Sequence, residues 1–198
     1  MDLLKNLLFM NVSPKDFAEL RDVWKALTDA IYNAPEKPLR FLRYFLLANY
    51  VRDTRLQEAT IYDWFQSNEN LTKHSRNPIV FANELLLAAK AYANAVNGRN
   101  PQGFEEPGIW NTRSLGGSAV RQHFILLLAG RALSPNLFSR LADQIEELMF
   151  VFLITSTPTN EYERYIVDGA GRLKAVYDSA SFELVSQDVV YEQAASIS

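Results

Sequence analysis

The sequence contains no cysteine. That absence excludes disulfide scaffolds, thiol nucleophiles and cysteine-ligated zinc or iron–sulfur sites. Histidine is scarce as well: His74 and His123 are the two present, and neither has a second histidine at helical spacing with which to share a metal. Glycine and proline, eight of each in 198 residues, are too few for a collagen-like, linker-like or largely disordered chain. The longest wholly apolar run, Leu148 to Ile154, has seven residues, whereas a bilayer-spanning helix takes about 20. Asp2 stands where a secretory leader needs basic residues, and no long apolar stretch follows it. The expectation is a cytoplasmic chain without membrane contact.

What is present describes an ordinary folded domain. With 48% apolar and 22% charged residues, a chain this long buries roughly two thirds or more of its unfolded surface, so a single domain over 1–198 needs no staple. The net charge of −3 is unevenly placed: 17 basic against 13 acidic residues up to position 142, then 3 against 10. A mildly basic body with an acidic end presents different faces to its neighbours.

The apolar residues recur at helical spacing. Ser13-Pro14 offers a cap and a first-turn proline, and Phe17, Leu20, Trp24, Leu27 and Ile31 then fall three and four apart, one stripe of a helix ending near Asn33. Pro38 starts a second helix with a Leu39, Leu42, Leu46 and Tyr50 stripe. Its flanking Phe41, Tyr44 and Phe45 predict contacts on more than one side. A short helix is read over 60–68. A long one follows Asn77-Pro78, carrying Phe81, Leu85, Ala88, Tyr92 and Val96 and closed by Gly98. Residues 98–117 hold five of the eight glycines together with Pro101 and Pro107, which predicts one long flexible loop. Helices resume over 120–128, from Ser134-Pro135 through Phe152, and over 161–177, the last interrupted by Gly169 and Gly171. The end of the chain is ambiguous, with 182–191 readable as a helix or a short strand. The fold class is therefore all-α, an irregular bundle of about seven to nine helices.

Tests for chemistry return little. A restriction-type nuclease core needs an acid two positions before a lysine, so that carboxylates hold a divalent metal beside it, and none of the seven lysines has one. Gly116-Gly117-Ser118 precedes a helix and could offer amides to an anion, but no phosphate-loop lysine follows it, so a plain helix start is the simpler reading. The carboxylate pairs Glu105-Glu106, Glu146-Glu147 and Glu161/Glu163 read as structural: Glu146 and Glu147, adjacent on a helix, diverge too far to share a proton, and Glu161 to Arg164 makes a favourable first turn with acids near the positive helix end. His74, among Lys73, Ser75 and Arg76, reads as a surface residue. His123, beside Phe124 and Ile125, reads as a packed, hydrogen-bonded core histidine. No metal and no cofactor is expected. The basic residues Arg40, Arg43, Arg52, Arg55, Lys73 and Arg76 are the candidates for touching DNA or a partner, although seven basic against five acidic residues over 36–76 is a weak excess.

Three segments carry a resemblance: Asp2-Leu3-Leu4-Lys5-Asn6-Leu7-Leu8-Phe9, Phe41-Leu42-Arg43-Tyr44-Phe45, and the Leu141 to Phe152 helix with the turn from Asn160 to Arg164. Together they resemble the central helical region of the GmrSD-like, modification-dependent restriction endonucleases. Such enzymes carry a ParB/sulfiredoxin-like domain with an Asp-Gly-Gln-Gln-Arg signature before this region, and commonly a His-Asn-His nuclease domain after it. Neither signature is present here, so no catalytic residue is carried over. The resemblance implies a non-catalytic spacer between catalytic domains, contributing to DNA engagement or subunit contacts. The alternative is a freestanding interaction or dimerisation module, with Phe41, Tyr44 and Phe45 offered to a protein partner or to a second copy.

Overall fold

Proline starts many of the helices. Pro38, Pro78, Pro107 and Pro135 each occupy the first residue of an α-helix, and Pro14 begins a single 3-10 turn. The missing N–H costs nothing at that position, and the ring presets the helical φ. The computed structural model describes residues 1–117, 119–176 and 181–183. Among them are ten α-helices: α1 (Asp2–Asn11), α2 (Phe17–Asn33), α3 (Pro38–Asn49), α4 (Ile61–Ser67), α5 (Glu69–Thr72), α6 (Pro78–Val96), α7 (Pro107–Gly116), α8 (His123–Ala129), α9 (Pro135–Ile154) and α10 (Thr159–Leu173). No strand occurs among the described residues; the nearest approach to one is an isolated antiparallel bridge between Arg99 and Glu105. The all-α architecture is as expected.

The bundle is organised around α8. Six of its seven residues, His123 to Leu128, are buried, and a helix apolar on every side belongs in an interior. It packs against α3, α6, α9 and α10. α3 likewise touches α2, α6, α8 and α10, so the crowd of large side chains on it does meet neighbours on several sides. Phe41, Tyr44 and Phe45 are all buried, which removes them as a docking surface. Leu39 faces outward instead of joining the stripe assigned to it. α2 lies along α6, and α7 along α9. The buried apolar residues form one connected core from Leu4 to Phe182. Of the described helices, α6 alone is long and apolar enough by length and composition to cross a membrane; half of that window is buried against the bundle.

Several expectations are corrected. The segment 98–117 is not one long loop: its second half is α7. Gly108 reads as a loop residue but allows close helix contact, since a Cβ there would lie 2.8 Å from the Ala142 carbonyl carbon on α9. The first half is a tied turn, in which Asn100 Oδ1 accepts from the amides of Gln102 and Phe104, and Glu106 N donates to Gly98 O. Ser13 does not cap a helix; its hydroxyl donates to Asp16 at 2.7 Å, and a 3-10 turn precedes α2. Gly169 and Gly171 do not interrupt α10, which runs through both. Of the ambiguous segment 182–191, only Phe182 and Glu183 are described, at the end of a helical 181–183, and the remainder lies outside the described residues.

Candidate functional site

The structure divides the six basic residues. Arg43 on α3 turns inward, with its Nη2 and Nη1 donating to the two oxygens of Glu163 on α10 at 2.5 and 3.0 Å. Its Nε and Nη2 also donate to the carbonyls of Leu56 and Thr54. A guanidinium so fully engaged is a staple between two helices and a loop, not a surface contact. Arg40 is half-buried, with Nη1 3.6 Å from Glu36. Arg52 is exposed at its surface but donates to the carbonyls of Leu47 and Val51. Arg55 is exposed and pairs with Asp53. Lys73 and Arg76 are exposed, at either end of the link between α5 and α6.

The three carboxylate pairs share a pattern. Each sends one member into a tie between segments distant in sequence: Glu106 accepts from Ser139 on α9 at 2.9 Å, Glu146 from Asn111 on α7 at 3.1 Å, and Glu163 from Arg43. Glu36, in the α2–α3 link, is a further hub. Buried to 6% exposure, it accepts from the Tyr92 hydroxyl on α6 at 3.1 Å and pairs with Arg121 just before α8. Arg40 approaches the same carboxylate, so two guanidiniums and a neutral hydroxyl from three other segments meet at one acid.

Both histidines are buried. For His74 this corrects the surface reading. Its Nδ1 lies 2.6 Å from the Thr72 hydroxyl and 3.0 Å from Glu69, and its ring packs edge-on against Phe65. Thr72 and Glu69, not the Lys73, Ser75 and Arg76 on which the surface reading rests, supply its polar contacts inside the fold. His123 is packed as expected, with its ring 4.3 Å from that of Phe124. The expected hydrogen bond is absent, however: neither ring nitrogen has a partner among the described residues. Burial, reinforced by Arg121 and Arg113, pushes its pKa down to about 3, so the ring is neutral.

His123 forms part of the wall of a cleft of about 250 Å³, with Val96, Trp110, Arg113, Ser114, Gly117, Arg121 and Phe124. Arg113, on the last turn of α7, sits over the Trp110 ring at 5.5 Å and has no carboxylate partner among the described residues. Here two arginines line one opening, and the His123 ring forms part of its wall with both nitrogens sealed from solvent. Of the glycine-rich helix start seen in sequence, Gly117 borders this cleft, and the wall is built from side chains at two helix ends rather than from backbone amides. Among the described residues no three histidine, aspartate or glutamate side chains gather as metal ligands.

No family model, curated protein or solved structure matches this chain.

Proposed function

We propose that the chain is a non-catalytic helical module, acting as a scaffold for neighbouring domains or partners. One observation carries this reading: one member of each of the three carboxylate pairs considered above is engaged in a tie between segments distant in sequence, at Glu106, Glu146 and Glu163. General acid–base work needs such groups beside a substrate, with pKa values matched to the reaction. Here they hold helices together. The more specific reading, a spacer within a GmrSD-like restriction endonuclease, rests on the three segments quoted above. A freestanding interaction module is favoured instead by Phe150, Leu153 and Ile154, exposed together at the end of α9.

The purified chain is tested on duplex DNA with Mg²⁺, in parallel with sedimentation velocity. The proposal expects the DNA to remain uncut. Cleavage that follows the protein through purification and disappears in a Glu105→Gln, Glu147→Gln or Glu161→Gln variant, the other members of the three pairs, contradicts it. Salt-sensitive DNA binding that is lost when Arg55, Lys73 and Arg76 are reversed to glutamate supports the endonuclease spacer. A dimer indifferent to DNA and lost in Phe150→Asp supports the freestanding module.

A further inference from the structure

Trp110 also lines a second cleft, of about 370 Å³, within the roughly 300–1,000 Å³ usual for small-molecule sites. Arg113 covers one face of the indole at 5.5 Å and lines the first cleft but not this one, so the other face is turned here. The ring is closely seated: a Cβ on Gly98 would lie 2.9 Å from its Cε3, and a side chain there would push it away. Around this flat wall stand planar polar groups. Glu106 is 5% exposed; Ser139 engages its Oε1, and no donor among the described residues reaches Oε2. Asn97 and Asn111 each direct one amide N–H to a partner, Ala93 O and Glu146, and keep Oδ1 and the second N–H for a ligand. Arg99 and Glu105 face each other across an antiparallel bridge, which sets their side chains together at the rim.

This mixture of groups selects a ligand by exclusion. An oxyanion would meet the carboxylates of Glu105 and Glu106. An ammonium would meet Arg99 and the positive end of α7, which starts at Pro107. An apolar molecule would cover the Glu106 carboxylate and the asparagine oxygens without answering them. A hydroxyl both donates and accepts. Several hydroxyls on one rigid ring can therefore serve carboxylate, amide and guanidinium together, while the C–H face of that ring packs on the indole. We propose that this cleft binds a sugar, one pyranose ring laid on the open face of Trp110 with its hydroxyls shared among Glu106, Asn97, Asn111 and Arg99. Glu106 is the anchor, since a charged acceptor makes the stronger hydrogen bond and its tie to Ser139 holds it in place. Such binding goes beyond the scaffold role and does not depend on it.

The tryptophans provide the test. Trp24 is buried on α2 and Trp64 lies on α4, and neither lines this cleft, so both serve as internal controls. The intact chain is titrated with D-glucose, D-galactose and N-acetyl-D-glucosamine while the indole N–H resonances are followed. The comparisons are sorbitol, which has the hydroxyls without the ring, and sodium acetate, butylammonium chloride and L-alanine. The expected result is a saturable shift at Trp110 with at least one sugar, no matching shift at Trp24 or Trp64, and weaker binding of every comparison compound. Affinity for that sugar should fall about tenfold in Glu106→Gln, the worth of one charge-assisted hydrogen bond. It should also fall in Asn111→Ala, which leaves Glu106 in place should the first variant not fold. A flat response to all three sugars overturns the proposal. So does equal or tighter binding of sorbitol, acetate, butylammonium or alanine, or an affinity unchanged in variants that keep the native spectrum.

Discussion

Arg43 on α3 and Glu163 on α10 are 120 positions apart in sequence, yet they meet in a two-pronged ion pair at 2.5 and 3.0 Å. Both side chains are largely buried, and the same guanidinium holds the carbonyls of Thr54 and Leu56. The pair therefore joins the middle of the bundle to its last helix and to the loop after α3. Arg43 is thereby committed to partners within the fold, with 16% of its side chain exposed.

Tyr162, on α10, illustrates the opposite case. Its ring stacks on Phe152 at 4.4 Å, but its hydroxyl is buried without a hydrogen-bond partner among the described residues. Tyr162→Phe keeps the stack and removes the orphaned group, so stability should rise by about 1 kcal/mol. Urea denaturation measures this. A loss of stability would mean that the hydroxyl has a partner, such as a buried water.

Gly108 predicts a reversal of helix propensity. In an exposed helix, Gly→Ala gains about 1 kcal/mol. Here the new methyl would lie 2.8–2.9 Å from the backbone of Ala142 and Asp143, forcing α7 away from α9. Gly108→Ala should cost about 1–3 kcal/mol through overpacking, read as a lower Tm. A higher Tm would show that α7 and α9 do not approach so closely.

His123 sets a pH dependence. Its folded pKa of about 3 lies below the ordinary value of 6.5 because burial, Arg121 and Arg113 all disfavour the imidazolium. Between those two pH values the unfolded chain binds a proton that the folded chain does not. Stability is therefore fully present above pH 6.5 and falls as the pH drops toward 3, by up to about 1.4 kcal/mol per pH unit. His123→Leu removes this contribution while leaving His74 and the carboxylates in place. Denaturation midpoints from pH 7.5 to 4.5 should fall more steeply for the parent chain than for the variant. Parallel profiles would place His123 in contact with water.

Local pattern and tertiary placement differ in how legible they are. α2 was readable because Leu20, Trp24, Leu27 and Ile31 repeat at helical spacing, and all four are buried. α7 was hidden because Gly108 looks like a loop residue from sequence, while its reason for being glycine is the backbone of a helix 34 positions away. The structural reading of the carboxylate pairs was available from their spacing, but not their partners. Nothing near Glu163 points to Arg43, and nothing near Glu106 points to Ser139. His74 was misplaced because its polar neighbours suggested solvent, when Thr72 and Glu69 instead supply its buried contacts. The cleft was least legible, since Trp110, Arg113, Arg121 and His123 belong to no local motif and meet only after α7 and α8 pack.

A double-mutant cycle across Arg43 and Glu163 asks most directly whether the ionisable side chains of this protein serve to hold its helices together. Arg43→Met, Glu163→Leu and the double variant are compared with the parent by urea denaturation. Each single change should cost about 3 kcal/mol, because it leaves a buried charge unpaired. The double change should cost clearly less than the sum, with a coupling of about 2 kcal/mol. Losses that simply add, or single variants as stable as the parent, would contradict the assignment of these charges to the fold.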